Sequence, residues 1–119
     1  MGDFRKLAVW QKAYQLTLSI YHSTGHFPKE EQFGMTSQMR RAAASIPANI
    51  AEGSGRGGDI ELRRFCQIAL GSANELEFFT LLSRDLHYLE VQQYDQLNEH
   101  ILEIERMLGS LIQKLGTKS

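Results

Sequence analysis

The sequence has few of the residues that cross-link small folds or interrupt helices. It contains one cysteine, Cys66, and two prolines among 119 residues. A lone cysteine excludes an intramolecular disulfide and favours a reducing compartment. Because Cys66 lies within a helical apolar pattern, we interpret it as a small core residue.

Long hydrophobic runs and strand-like patterns are also missing. No apolar run approaches the roughly 20 residues that a membrane-spanning helix needs. The N-terminal residues show no signal-peptide pattern. Alternating runs rich in Val, Ile and Thr do not occur, which leaves little room for strands. We therefore expect a helical, cytoplasmic protein with no membrane partner.

The sequence has no strong excess of charge of one sign. The net charge of −1 argues against a generic polyanion binder. The charges are nevertheless unevenly distributed, because residues 1–66 are net basic and residues 67–119 are net acidic. This asymmetry is modest, but it distinguishes the two halves of the chain.

Helical periodicity is the dominant pattern that is present. Apolar residues recur at steps of three and four in four segments, which are about 7–23, 35–53, 60–89 and 92–115. The connections between these segments are short, which favours antiparallel neighbours. The sequence predicts an all-α protein, a single antiparallel up-and-down four-helix bundle domain over residues 1–119.

Residues 38–56 break more local rules than any other stretch. Pro47 lies inside the second predicted helix, and it leaves the carbonyl of Ala43 without its helical partner. We expect a neighbouring helix or Ser45 to bond that carbonyl. We also expect the small residues at 42–45 to pack closely against Gly71 and Ser72 of the third helix. The glycine-rich segment 53–58 is interpreted as a connector, and Gly25 as a left-handed cap of the first helix.

Catalytic, cofactor-binding and metal-binding patterns are missing from the sequence. His22 and His26 are spaced i, i+4, but Gly25 lies between them and no third ligand follows in a known pattern. There is no Glu-x-x-His pair of the di-iron type. We predict a protein that is not an enzyme and that has no catalytic residues, no cofactor and no metal.

A group of arginines gives the strongest functional signal. They are predicted to gather around the end of the second helix and the start of the third, which a helical hairpin brings towards one another. They are Arg40, Arg41, Arg56, Arg63 and Arg64. Arginine suits bidentate phosphate contacts, and a patch without stacking aromatics would bind a nucleic-acid backbone with little sequence preference. The alternative is that these arginines pair with carboxylates, namely Glu52, Asp59, Glu61, Glu75 or Glu77.

A second apolar stripe on the first helix includes Trp10, Tyr14 and Tyr21. It makes the apolar surface of this helix wider than one bundle core requires. One interpretation is a well-buried helix with amphipathic aromatic residues at its rim. The other is an interface with a second copy of the chain, since aromatic residues are enriched in interfaces.

Nearly the whole chain resembles a known family. The most specific segment is 38–56, QMRRAAASIPANIAEGSGR, and similar patterns occur at 7–13, 69–77 and 104–112. These motifs resemble bacterial four-helix bundle proteins first noticed as reading frames in intervening sequences of 23S rRNA genes. The resemblance implies an up-and-down bundle that assembles as a homopentamer. It also implies a distant relation to diversity-generating retroelement accessory proteins, which bind nucleic acid and a reverse transcriptase.

Two functions remain open from the sequence. The first is a non-enzymatic, oligomeric protein that binds nucleic acid, preferably RNA, or a nucleic-acid-handling protein through the arginines. The second is a structural or protein-interaction module whose Trp10, Tyr14 and Tyr21 face forms the assembly and which binds no nucleic acid.

Overall fold

Four long helices make up almost all of the computed structural model, which describes residues 3–116. Short 3-10 turns, Phe4–Lys6 and Lys29–Glu31, precede the first and second helices. The helices are α1 (Ala8–Thr24), α2 (Met35–Gly55), α3 (Asp59–Asp85) and α4 (Val91–Gly116). No strand occurs among residues 3–116. The predicted helical segments are therefore confirmed, although α3 ends four residues earlier than expected.

The helices form an elongated bundle with extents of 46 × 22 × 20 Å. Each helix packs against the next along the chain, and α4 returns to pack against α1. This arrangement confirms the antiparallel up-and-down four-helix bundle. The largest fully buried side chains come from all four helices and include Leu16, Ile20, Met39, Ile46, Ile50, Leu76, Ile101, Ile104 and Leu108.

The end of α1 is not capped as the sequence suggests. Gly25 has a φ of −62°, so it is right-handed and the predicted left-handed cap is wrong. The N–H groups of Gly25 and Phe27 donate to the carbonyls of His22 and Thr24, and side chains supply further bonds. The Thr24 hydroxyl donates to the carbonyl of Ile20 at 2.7 Å, and a guanidinium nitrogen of Arg40 donates to the carbonyl of Tyr21 at 3.2 Å. Arg40 thereby ties α2 to α1.

Pro47 lies inside α2 and is buried. Because it has no N–H, the carbonyl of Ala43 lacks its helical donor. The hydroxyl of Thr17 in α1 lies 3.1 Å from that oxygen and 2.8 Å from the carbonyl of Ala13, and its single hydrogen serves both acceptors. The expectation that a neighbouring helix bonds this carbonyl is confirmed, and the bond fixes where α1 lies along α2.

The contact between α2 and α3 uses small residues, but not the predicted glycine. Ser45 and Ser72 are hydrogen bonded at 2.8 Å, as expected for packing of this region. Gly71 is exposed, and a Cβ at its position would meet nothing within 4 Å. The close approach occurs at Gly53 instead, where a Cβ would lie 2.8 Å from the Cβ of Phe65. The Gly71 prediction was wrong because the buried face of α3 passes through Ala69 and leaves Gly71 exposed.

Positive φ angles among the described residues occur in the α2–α3 and α3–α4 connections. Gly57, with a φ of 89°, reverses the chain between α2 and α3, as a left-handed connector requires. His87, with a φ of 65°, ends α3. Its N–H bonds the carbonyl of Arg84, and the N–H of Tyr88 bonds that of Ser83. This pattern is a Schellman motif, which explains why α3 stops before the predicted residue 89.

Two glutamates meet between α3 and α4. The Oε2 atom of Glu105 is buried and has no hydrogen-bond partner among the described residues while its carboxyl is ionised. A proton on this carboxyl supplies a hydrogen bond to Glu77. Burial, and then the neighbouring Glu77 carboxyl, raise the pKa of Glu105 to about 7.

Two glycine-to-alanine substitutions are expected to change stability in opposite directions. Gly71→Ala should raise the free energy of unfolding by about 0.5–1 kcal/mol, because it removes a flexible residue from an exposed helix interior. Gly53→Ala should lower it by about 1–3 kcal/mol through overpacking against Phe65. Urea unfolding of the two variants measures both effects. A larger loss for Gly71→Ala than for Gly53→Ala would contradict this helix packing.

Glu105→Gln is expected to remove part of the pH dependence of stability. The folded-state pKa lies above the ordinary 4.5, so the contribution of this group is fully present below about pH 4.5 and is lost as the pH rises through 7. The stability of the variant relative to wild type should therefore be about 1 kcal/mol higher at pH 8 than at pH 5. Solvent screening keeps this difference below the full value that the raised pKa implies. Thermal unfolding at both pH values measures this, with the exposed Glu99→Gln as control. An equal shift at the two pH values would refute the raised pKa.

Candidate nucleic-acid interface

The structure separates the five predicted arginines into two groups. Arg40 and Arg41 lie in the second turn of α2, whereas Arg56 follows its last residue. At 1.5 Å per residue, the 15 residues from Arg41 to Arg56 span about 22 Å. The hairpin brings Arg56 to Arg63 and Arg64 at the start of α3, but it does not bring Arg40 and Arg41 to the same place. We call Arg40 and Arg41 the groove arginines, and we call the other three the loop arginines.

Arg40 is bonded within the protein. Its Nε donates to the Thr24 hydroxyl at 2.9 Å, in addition to the bond with the Tyr21 carbonyl. Its guanidinium also lies over the Tyr21 ring, 4.7 Å from the centroid. Arg40 therefore holds the end of α1 and positions the Tyr21 ring, and two of its five N–H donors are bonded.

Arg41 differs from its neighbour. It is exposed, and it makes no hydrogen bond or ion pair with any residue in the described part of the chain. Arg41 borders a cavity of about 240 Å³ that Glu75 of α3 also lines, and it lines an open groove of about 670 Å³ between α1 and the outer face of α2. We call this the α1–α2 groove. Its lining contains Arg40 and Arg41 but no aspartate or glutamate, so the groove is positively charged although the whole chain is not.

Two of the loop arginines are paired with exposed carboxylates. The Nε of Arg56 donates to Glu52 at 2.8 Å, and the Nε of Arg64 donates to Glu61 at 3.1 Å. Both guanidinium groups also lie over the Phe65 ring, at 5.1 and 4.5 Å. The bonds from Arg64 lower the pKa of Glu61. The expected pairing with Glu52 and Glu61 is therefore present in the structure.

Arg63 joins two helices. Its Nε donates to the carbonyl of Ile112 in α4 at 3.1 Å, and the residue is half-buried. Arg63 also lies close to Gly116, where a Cβ would come within 3.0 Å of its Nε. These contacts give Arg63 a role in closing the bundle between α3 and α4.

The three aromatic residues predicted to face a second subunit are also divided. Trp10 stacks on Tyr14 with ring centroids 5.1 Å apart, and Phe4 packs edge-on against Trp10 at 5.0 Å. Tyr21 lies further along α1, at the α1–α2 groove. Tyr14 and Tyr21 are 45% and 47% exposed, whereas Trp10 is half-buried.

One aromatic residue of the groove was missed in the sequence. Phe33 is 88% exposed, more than any other large apolar residue described. It precedes α2 and lines the α1–α2 groove with Tyr21. The only available signal was its position, because Phe33 lies between Gln32 and Gly34 and outside every helical stripe.

The outer face of α3 carries further exposed apolar side chains. Ile68, Phe78 and Leu81 are between 39% and 57% exposed, and Ile60 near the start of the helix is 80% exposed. A surface of this kind is typical of a contact between proteins. It lies on a different helix from Tyr14 and Leu18, the exposed pair of α1.

The described ionisable groups include a buried thiol and two neighbouring histidines. Burial raises the pKa of the Cys66 thiol to about 11, so it stays protonated as a core residue. His22 and His26 have ring centroids 6.1 Å apart, and no three His, Cys, Asp or Glu side chains of the described residues are grouped as a metal site. None of the described helices has the length and apolar character needed to cross a membrane.

Comparisons with known proteins agree with this architecture. A crystal structure of a protein of unknown function from the S23 ribosomal protein family of Bacteroides thetaiotaomicron has a TM-score of 0.79 to this chain. The two are 29% identical, and the match covers 88% of this chain and 98% of the other. Among curated proteins no significant match is found. The sequence model described as 23S rRNA-intervening sequence protein matches residues 5–110. The chain therefore belongs to the 23S rRNA-intervening sequence protein family.

Proposed function

We propose that this protein is a non-enzymatic nucleic-acid-binding protein whose main phosphate contact is Arg41, with RNA as the preferred ligand. The observation that carries the proposal is an exposed, unpaired guanidinium in a groove whose lining has no carboxylate. Arginine offers five N–H donors in a planar fork that matches phosphate oxygens. The proposal places the protein in the cytoplasm, where RNA is abundant.

The loop arginines form a second, weaker contact in this proposal. The side chains of the Arg56–Glu52 and Arg64–Glu61 pairs are between 36% and 53% exposed. Exposed pairs of this kind contribute little stability, about 0–1 kcal/mol, so a phosphate group can replace the carboxylate at low cost. Arg40 and Arg63 act by positioning in this proposal. The Nε of Arg40 is bonded to α1, and the Nε of Arg63 is bonded to α4.

Self-association supplies the affinity that a single groove lacks. Tyr14 and Leu18 expose an apolar surface on α1, and Ile68, Phe78 and Leu81 expose another on α3. In the bundle, α1 and α3 do not pack against each other, so these are two separate surfaces. Contact between different surfaces of successive copies generates either a closed ring or an open filament, and the family resemblance implies a closed pentamer. A ring repeats the groove and makes binding multivalent.

A second candidate function is an interaction module that binds no nucleic acid. The exposed apolar surfaces of α1 and α3 favour it, because they account for assembly without any use of the arginines. The two candidates differ in one measurable property, which is the affinity of the assembled protein for RNA.

Arg41→Ala is expected to weaken RNA binding about tenfold at low salt, the loss typical of one charge-assisted hydrogen-bonding group. The slope of log K against log salt should become shallower by about one for each groove engaged, because one phosphate contact is lost. Fluorescence anisotropy with labelled RNA measures both quantities. Arg106→Ala, which removes an exposed arginine of α4, is the matched control. Equal losses in the two variants, or no binding by wild type, would refute the proposal.

Tyr14→Glu is expected to dissociate the assembly, because it places a charge in the centre of the proposed α1 surface. Light scattering should give a pentamer for wild type and a monomer for the variant, with unchanged helical circular dichroism. Gln15→Glu adds the same charge at the next exposed position and should remain assembled. A monomeric wild type would exclude the ring.

A further inference from the structure

The α1–α2 groove combines its arginines with two accessible aromatic rings. Phe33 is almost completely exposed beside the start of α2, and Tyr21 is half-exposed at the end of α1. Both rings line the same groove as Arg41. Phe33 therefore contributes an accessible ring to the groove rather than a side chain to the core.

Small side chains lie along the groove on the side of α2. Ser37, Ala44 and Ala48 lie on the same face of α2 as Arg41, at spacings of four, three and four residues along the chain. None of them projects far from the helix, so a flat group can approach α2 closely. The aromatic rings then stand beside a shallow surface rather than above a deep pocket.

The polar groups of the groove fit an anionic chain with flat substituents. Arg41 has a free guanidinium, and the guanidinium of Arg40 over the Tyr21 ring extends the stacking surface. Bases stack on aromatic rings and on arginine planes, and the phosphates that follow each base require a nearby cation. No carboxylate of the groove lining repels them.

We propose that the α1–α2 groove binds single-stranded nucleic acid, with a base stacked on Phe33, a second base at Tyr21 and the intervening phosphate on Arg41. This inference rests on the proposed function and narrows its ligand. A duplex keeps its bases stacked inside, so it offers the groove only its backbone. A single strand offers bases and phosphates together, and it is therefore the preferred ligand.

The test compares three labelled 12-nucleotide ligands in anisotropy titrations with the full-length protein at low salt. They are a single-stranded RNA, the single-stranded DNA of the same sequence, and the RNA duplex. Wild type should bind the single strands more tightly than the duplex. Phe33→Ala should weaken single-strand binding about tenfold, within the range for loss of one stacked base, and should leave duplex binding within twofold. The two single strands show whether the 2′-hydroxyl adds to binding.

Two further variants make the test specific to stacking. Phe33→Trp retains a ring and should bind single strands at least as well as wild type. Val91→Ala removes an exposed apolar side chain that is 69% exposed outside the groove, and it should change nothing. Because Phe33 has few contacts within the chain, these variants are expected to fold normally, which circular dichroism checks.

Other outcomes overturn the inference in distinguishable ways. If Phe33→Ala binds single strands as wild type does while Arg41→Ala loses affinity for every ligand, the arginine contact stands and the stacking site falls. If wild type binds none of the three ligands, both proposals fall. If Phe33→Ala changes the mass in light scattering and leaves binding unchanged, the groove is instead a contact between copies of the chain.

Discussion

The carbonyl oxygen of Ala43 is the group on which the arrangement of α1 and α2 depends. Pro47 removes its helical donor, and leaving a buried carbonyl unbonded costs about 1–3 kcal/mol. The Thr17 hydroxyl supplies the donor, which fixes the register of α1 along α2. In that register the last turn of α1 reaches Arg40, and Tyr21 comes to lie at the edge of the groove. The Thr17 bond is therefore one of the contacts, together with the buried core and the bonds from Arg40, that place Tyr21 at the edge of the groove.

The two adjacent arginines of α2 differ in the bonds that they make. Arg40 and Arg41 are adjacent in sequence, but successive helical residues point about 100° apart. Arg40 is directed towards α1 and completes its C-terminal turn, while Arg41 is directed outwards. The first orders the groove, and the second is free to bind. Arg63 similarly bonds to α4. Arg56 and Arg64 form ion pairs with exposed carboxylates, and solvent weakens these pairs. A nearly neutral chain thus has a groove lined by two arginines and by no carboxylate.

Helical periodicity predicts the four helices and much of the core, because the apolar face is a property of each helix alone. Val9, Ala13 and Leu16 are buried as their spacing indicates. Tertiary partners are not encoded in such a pattern. Gly53 and Gly71 both lie in helical segments, yet only Gly53 faces Phe65. The expected single arginine patch failed for a different reason, because a helical rise of 1.5 Å per residue already places Arg41 and Arg56 about 22 Å apart. Phe33 belongs to no periodic stripe, so only the structure shows which surface it joins.

Ultraviolet cross-linking followed by mass spectrometry tests the central claim most directly, because it reports where a strand lies on the assembled protein. Aromatic side chains stacked on bases are well placed to cross-link. With a uridine-rich single-stranded RNA, the account predicts cross-links at Phe33 and Tyr21, with loss of both when excess unlabelled strand competes. Cross-links confined to peptides around Arg56, Arg63 and Arg64, or no cross-links at a protein concentration that saturates binding, would contradict it.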